Sequence, residues 1–301
     1  MILYSSHRFA EHTTPPGHPE RPERAGVFDD VAQQFRANGG EVREPRPATR
    51  EELLRVHAPE YVDAIAATAG RAVMLDADTF TSPESYEIAL LAAGAAIEAA
   101  RHAWTIGEPA MALVRPPGHH AERDRAMGFC LFNNIAVAAA ALRAAGVDRV
   151  AIVDIDVHHG NGTQHSFYAD PSVLFISSHQ FPYYPGTGAA DETGTGAGKG
   201  FTINIPMAAG ARDADYEAAY RGVVIPALDR FQPQILLVSA GFDAHEQDPL
   251  GGMRLSTAGY GRMVDMLDEA AARLCGHRIA YVLEGGYHLA ALRACLETVI
   301  K

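Results

Sequence analysis

The stretch Val150-Ala151-Ile152-Val153-Asp154-Ile155-Asp156-Val157-His158-His159-Gly160 opens as an apolar run and closes in two carboxylates and two imidazoles. An unbroken apolar run of this kind predicts a strand buried on both faces. Residues two apart on an extended chain point the same way, so Asp154, Asp156 and His158 share a face at the strand's carboxyl end. A mixed oxygen and nitrogen set there suits a borderline divalent ion such as Zn2+. Buried Asp and His also occur as hydrogen-bonded structural groups, so the segment alone leaves both readings open.

Working outward, further β-rich runs cover Ala110 to Val114, Val173 to Ser177, Phe201 to Ile205, Ile235 to Ser239 and Ile279 to Leu283. Helical patterns lie between them at Ser82 to His102, Asn133 to Ala145, Asp213 to Phe231, Ser256 to Cys275 and Leu289 to Ile300. The alternation predicts an α/β protein: a single three-layer α/β/α domain over residues 1–301 with a central, mostly parallel sheet. Asp213 and Ser256 read as helix N-caps, and Ser82-Pro83 as an N-cap followed by a first-turn proline. Gly146 stands where a left-handed helix end favours glycine. His12 to Arg24, rich in Pro, His and charge, reads as a loop.

A 48% hydrophobic and 21% charged composition fits a globular chain. The net charge of -12 opposes broad phosphate-backbone binding and leaves cationic substrates open. Cys130, Cys275 and Cys295 are widely spaced, with no CxxC pair, and read as reduced buried thiols. No apolar stretch reads as membrane-spanning and no leader follows Met1, so the expected location is the cytoplasm.

In open parallel sheets, ligands gather beyond the strands' carboxyl ends. Four strand ends here carry chemistry: Arg115-Pro116-Pro117-Gly118-His119-His120, then Asp156 and His158, then Gly241-Phe242-Asp243, then Glu284-Gly285-Gly286-Tyr287. Asp156, His158 and Asp243 form a three-ligand metal set that leaves coordination open for water and a carbonyl. Asp243 alone also suits a helix cap. His120 reads as general base and acid, and His119 as an electrostatic partner oriented by Asp154. An isolated His-His pair in a Pro-Gly loop is as readily simple packing. Tyr287 suits donation to an oxyanion, and Gly285-Gly286 allow close backbone approach, although turn tyrosines also pack on surfaces. Gly128-Phe129 and Tyr184 offer walls for a narrow channel.

With these residues the chain resembles the zinc-dependent histone deacetylase family, of arginase/deacetylase-like fold. The resemblance runs from His18-Pro19-Glu20-Arg21-Pro22-Glu23-Arg24 to Glu284-Gly285-Gly286-Tyr287. It includes Arg115 to Ala121, Gly128-Phe129-Cys130, Asp154 to Gly162, Tyr184-Pro185-Gly186-Thr187-Gly188 and Gly241-Phe242-Asp243. The HPERPER stretch and Asn161 look most like class II enzymes and their bacterial relatives, including acetoin-utilisation and acetylpolyamine amidohydrolases. The resemblance implies one Zn2+ on Asp156, His158 and Asp243, with His119, His120 and Tyr287 performing amide hydrolysis on an acylated lysine or small acylated amine. It also implies that the Gly128 carbonyl meets the substrate amide, while Phe129 and Tyr184 flank an acyl-lysine tunnel. A K+ or Na+ site is implied near Asp154, Asp156, His158, Ser177 and Ser178, and a second near Phe167, Asp170, Val173 and Phe201. Homo-oligomers are common in the bacterial group.

Class I enzymes have aspartate where Asn161 stands, which implies a different basicity for His120. Polyamine-selective relatives place a glutamate near Leu250; the apolar residue here favours a neutral-ended amide, with Glu20, Glu23 or Asp78 as exposed acidic alternatives. Two other readings use the same residues: an arginase-like hydrolase with two manganese ions, which leaves His119, His120 and Tyr287 without a task, and a non-catalytic acyl-lysine-binding protein.

Overall fold

The computed structural model describes residues 1–300. Ten strands occur in chain order: β1 (Ile2–Tyr4), β2 (Glu41–Arg43), β3 (Val73–Met74), β4 (Phe80–Thr81), β5 (Ala110–Ala112), β6 (Val150–Asp154), β7 (Val173–Gln180), β8 (Thr202–Met207), β9 (Ile235–Ala240) and β10 (Ile279–Leu283). The helices are α1 (Glu23–Ala37), α2 (Arg50–Leu53), α3 (Pro59–Ala66), α4 (Ser85–Ile106), α5 (Asn134–Ala144), α6 (Asn161–Phe167), α7 (Asp213–Ala219), α8 (Ile225–Phe231), α9 (Thr257–Cys275) and α10 (Leu289–Val299). Eight strands form one sheet in the order β2-β1-β5-β10-β9-β6-β7-β8, and all its pairings are parallel. The β3–β4 pair is a separate antiparallel hairpin.

Parallel strands need crossovers, and the helices supply them. The pair α4 and α5 packs over the middle strands, while α9 covers β9 and carries α10, on which α1 lies. The central strands are therefore buried on both faces, and β6, β9 and β10 have no residue outside the core. This is the three-layer α/β/α architecture expected from the alternating pattern.

Several helix ends follow local rules. Ser256 caps α9, its side chain accepting the Gly259 N–H at 3.0 Å, and Gly146 follows α5 with φ of 90°. Asp213 does not cap α7. It is the first helical residue, and its carboxylate instead takes the Ser256 N–H and hydroxyl at 2.8 and 2.7 Å. Asp215 closes that helix end by accepting the Arg212 N–H. Nor does Ser82-Pro83 open α4. The helix starts at Ser85, whose hydroxyl accepts the Ser82 N–H, while Ser82 itself serves the Glu11–Thr13 strand of loop. The expected helix from Asp213 to Phe231 is α7 and α8 joined through a π-helical turn at Tyr220–Val224.

Candidate active site

The strands that deliver chemistry, β5, β10, β9 and β6, are consecutive neighbours in the middle of the sheet. Because they run parallel, their carboxyl ends form one rim. Asp156 and His158 follow β6, Asp243 follows β9, the His119-His120 loop follows β5, and Tyr287 follows β10.

Asp156, His158 and Asp243 converge: His158 Nδ1 lies 3.1 Å from Asp156 Oδ1 and 3.2 Å from Asp243 Oδ2. Their ligand atoms all fall within 4.8 Å of one another, and this is the one such set among the described residues. The donor set fits a divalent ion on a physical test. Two fully buried carboxylates face each other here, and burial together with the Asp156 charge pushes Asp243 up to about 7. A cation is what such a pair lacks. Gly285 shows how closely the chain wraps the carboxylates. A Cβ on it would stand 2.1 Å from Asp243 Oδ2, and its N–H donates to Asp156 Oδ2 at 2.9 Å. It supports the ligands from behind rather than lining the channel.

The two histidines occupy different electrostatic settings. Asp154, wholly buried, places Oδ2 3.0 Å from His119 Nδ1. Burial alone would depress His119, but Asp154, Asp156 and Glu284 overcome it and raise its pKa to about 10. His120, its ring 4.0 Å away, is driven well below the ordinary value by burial and by the neighbouring imidazoles of His119 and His158. Its Nδ1 meets Asn161 Oδ1 at 2.7 Å. This setting favours the protonated form of His119 and the neutral form of His120.

A cavity of about 200 Å3 opens to solvent beside them, lined by His120, His158, Gly128, Phe129, Tyr183, Tyr184, Leu250, Tyr287 and Asp78. Phe129 meets Tyr287 edge to face at 5.7 Å, and Tyr184 stands over His120 at 5.2 Å. Gly128 has φ of 55°, and a Cβ there would stand 2.4 Å from the His120 ring, so the turn requires glycine. The Tyr287 ring rests under Arg24 at 5.0 Å, and burial raises its phenol pKa well above the ordinary value.

The residues of the implied cation sites also gather. Asp154 pairs in register with Ser177, and the Ser178 hydroxyl lies 3.5 Å from the Asp154 carbonyl. Phe167, Asp170 and Val173 share one turn, with the Asp170 N–H on the Phe167 carbonyl at 2.9 Å; the Phe201 carbonyl lies nearby on Phe175 N–H.

Some positions differ from expectation. Glu20 is not an exposed acidic group. It is wholly buried, with both oxygens 2.8 Å from the Arg115 guanidinium and one 3.1 Å from Arg24. The His12 to Arg24 stretch is therefore anchored inward at His12, Glu20 and Arg24 while most of it stays at the surface, because two buried arginines need the Glu20 carboxylate. Glu23 is exposed as expected, and Asp78 is half-buried and lines the cavity. Residues not singled out from the sequence also serve the site. Glu284 Oε2 accepts the Gly118 and His119 N–H groups at 2.6 and 3.1 Å, Glu122 stands behind Asn161, and Tyr183 stacks on His158 at 5.7 Å. Glu122 lies two residues beyond His120, the one local signal that would have found it.

The model for the histone deacetylase domain matches residues 18–301. The chain belongs to the histone deacetylase family. It is 44% identical to histone deacetylase 15 of Arabidopsis thaliana over the whole chain, which spans about half (54%) of that longer protein. It is 45% identical to the histone deacetylase-like amidohydrolase of Pseudomonas aeruginosa, covering 95% of this chain and 76% of that one, and 41% identical to a probable deacetylase of Archaeoglobus fulgidus, covering 93% and 79%. The crystal structure of the HDA15 HD domain superposes with a TM-score of 0.93 at 41% identity, covering all of this chain and 90% of that one. The fold of this deacetylase-family chain is therefore that of its relatives. Among its described residues no helix is long and apolar enough to cross a membrane.

Proposed function

We propose that residues 1–301 act as one zinc-dependent catalytic domain that hydrolyses the amide of an acetylated or otherwise acylated lysine-like amine. The observation that carries this reading is the meeting of the Asp156–His158–Asp243 set, the His120 imidazole and the Tyr287 phenol at the floor of one narrow cavity. Bound zinc supplies Lewis acidity that polarises the scissile carbonyl and lowers the pKa of water. The remaining steps belong to the chain. His120 Nε2 takes the proton of the attacking water and returns it to the leaving amine. His119, held cationic by Asp154, stabilises the negative charge that develops beside it. Tyr287 donates its O–H to the oxyanion. The Gly128 carbonyl accepts the substrate amide N–H, and Phe129 and Tyr184 sandwich the aliphatic arm while excluding water. K+ or Na+ at the Asp154–Ser178 and Phe167–Phe201 clusters would be held partly by backbone oxygens. A cytoplasmic location accords with three reduced, buried thiols.

The test is acetate release from an acetyl-lysine peptide by the zinc-loaded protein. Turnover there, or on acetylated polyamines, supports the reading; none on any acylated amine sinks it. A second reading is favoured by Asp78: an acidic residue in the cavity lining suits a small acylated amine with a distal ammonium, in place of a protein lysine.

A further inference from the structure

Behind His120 the buried polar groups form a line. His120 Nδ1 lies 2.7 Å from Asn161 Oδ1, Asn161 Nδ2 lies 2.5 Å from Glu122 Oε1, and both Glu122 oxygens lie 2.9 Å from His165 Nδ1. His120 and Asn161 are buried, the Glu122 side chain is 11% exposed and that of His165 48%. The line thus runs from the cavity floor to solvent.

Its middle member cannot set its own direction. A primary amide has an acceptor end and a donor end of nearly the same shape, and either can face a neutral imidazole. With Oδ1 toward the ring, the His120 proton must sit on Nδ1, and Nε2 keeps a lone pair for the reaction. With Nδ2 toward the ring, the proton moves to Nε2 and the ring cannot take another from water. A carboxylate breaks this tie, because it only accepts. The other partners of Asn161 Nδ2, the His120 carbonyl at 3.3 Å and Met127 Sδ at 3.4 Å, are neutral and more distant. Charge-assisted acceptors are roughly twice as strong. An inverted amide would set its oxygen against the carboxylate with little water to relieve it. The His165 and Asn161 hydrogen bonds hold the Glu122 carboxyl below its usual range against burial, which opposes them.

We infer that Glu122 is a positioning residue: through Asn161 it holds His120 in the tautomer that leaves Nε2 free to act as base, with His165 as its partner at the surface. The inference rests on His120 being the base of the hydrolysis proposed above.

The test uses zinc-loaded protein labelled with 15N-histidine, the His120 signals being those lost in His120→Ala. The parent protein is expected to carry its His120 proton on Nδ1. Glu122→Met removes the acceptor at near-constant volume. It should populate the Nε2-protonated form and lower kcat about 10- to 100-fold, with KM little changed. Glu122→Gln should recover most of the loss, since its carbonyl can face Asn161 while its NH2 group faces His165. In the Asn161→Asp background both oxygens accept and direction no longer matters. There Glu122→Met should raise kcat, because it removes a second carboxylate from beside the first. A Glu122→Met protein that keeps the His120 proton on Nδ1 alone overturns the inference, as does an equal fall in kcat in both backgrounds. Absence of turnover in the parent protein sinks the hydrolase reading, and the NMR result still decides the role of Glu122.

Discussion

The Asp248 carboxylate accepts the backbone N–H of Tyr287 at 2.6 Å and that of His288 at 3.1 Å through Oδ2, while its Oδ1 takes the Leu250 N–H at 3.0 Å. One largely buried side chain thus ties the turn that carries the phenol to the loop whose Leu250 lines the cavity. Asp248→Ala leaves three donors without their acceptor, and an unsatisfied buried donor costs about 1–3 kcal/mol. The expected result is a lower denaturant midpoint together with a fall in kcat. A variant as stable and active as the parent would show that the turn holds its shape without Asp248.

Tyr287→Phe keeps the ring between Arg24 and Phe129 and deletes only the hydroxyl. Loss of one oxyanion donor costs about 100- to 1000-fold in kcat. KM and the melting temperature should stay near those of the parent, which steady-state kinetics and thermal melts would check.

Glu20 contributes stability through buried Arg115 and Arg24. Burial works to raise its carboxyl pKa, but Arg115 and His12 reverse this and hold it well below the usual value. A depressed folded-state pKa means that the contribution is present above the unfolded value and is lost as pH falls through the folded one. Glu20→Gln should therefore destabilise the protein at neutral pH, by about 3–5 kcal/mol for a broken buried pair. The difference from the parent should shrink only in strong acid, and equilibrium unfolding at several pH values measures it.

Zinc should stabilise the fold only when all three ligands are present. At a hundredfold excess over Kd, binding adds about 2.7 kcal/mol. Chelation should lower the melting temperature of the parent protein, and restored Zn2+ should recover it. Asp243→Ala should show neither change and retain no stoichiometric metal by elemental analysis.

Asp78→Asn should lower kcat/KM for an acetylated diamine while leaving a neutral-ended amide unaffected. An exposed charge pair is worth about 0.2–1 kcal/mol, a change of up to about fivefold. Equal effects on both substrates would remove Asp78 as a selector of the distal ammonium.

The readable parts of the sequence were those whose local pattern has one physical solution. Ile279–Leu283 and Ile235–Val238 are nearly continuous apolar runs, which a strand covered on both faces satisfies at this length, and every residue of β9 and β10 is buried. The start of the chain was less legible. β1 is three residues long, and α1 begins at Glu23, inside the Pro-rich, charged run His12 to Arg24 that reads as loop. What draws Glu20 of that run into the interior is Arg115, about a hundred residues away, which no local pattern can announce. Asp213 likewise looked like a cap for its own helix, yet the N-terminus of α9 claims its carboxylate.

Residue order alone was enough for the alternating strands and helices, and for the reactive side chains at four strand ends, because periodicity and residue chemistry are local properties. Which ends become neighbours depends on sheet order, and β5-β10-β9-β6 is a non-local arrangement. Only packing in three dimensions made Asp243 a partner of Asp156, hid Glu20 beneath two arginines and set Glu122 behind Asn161. Glu20 and Glu122 found their compensating groups in distant parts of the chain, and the facing Asp156 and Asp243 carboxylates, also far apart in sequence, suit a cation between them.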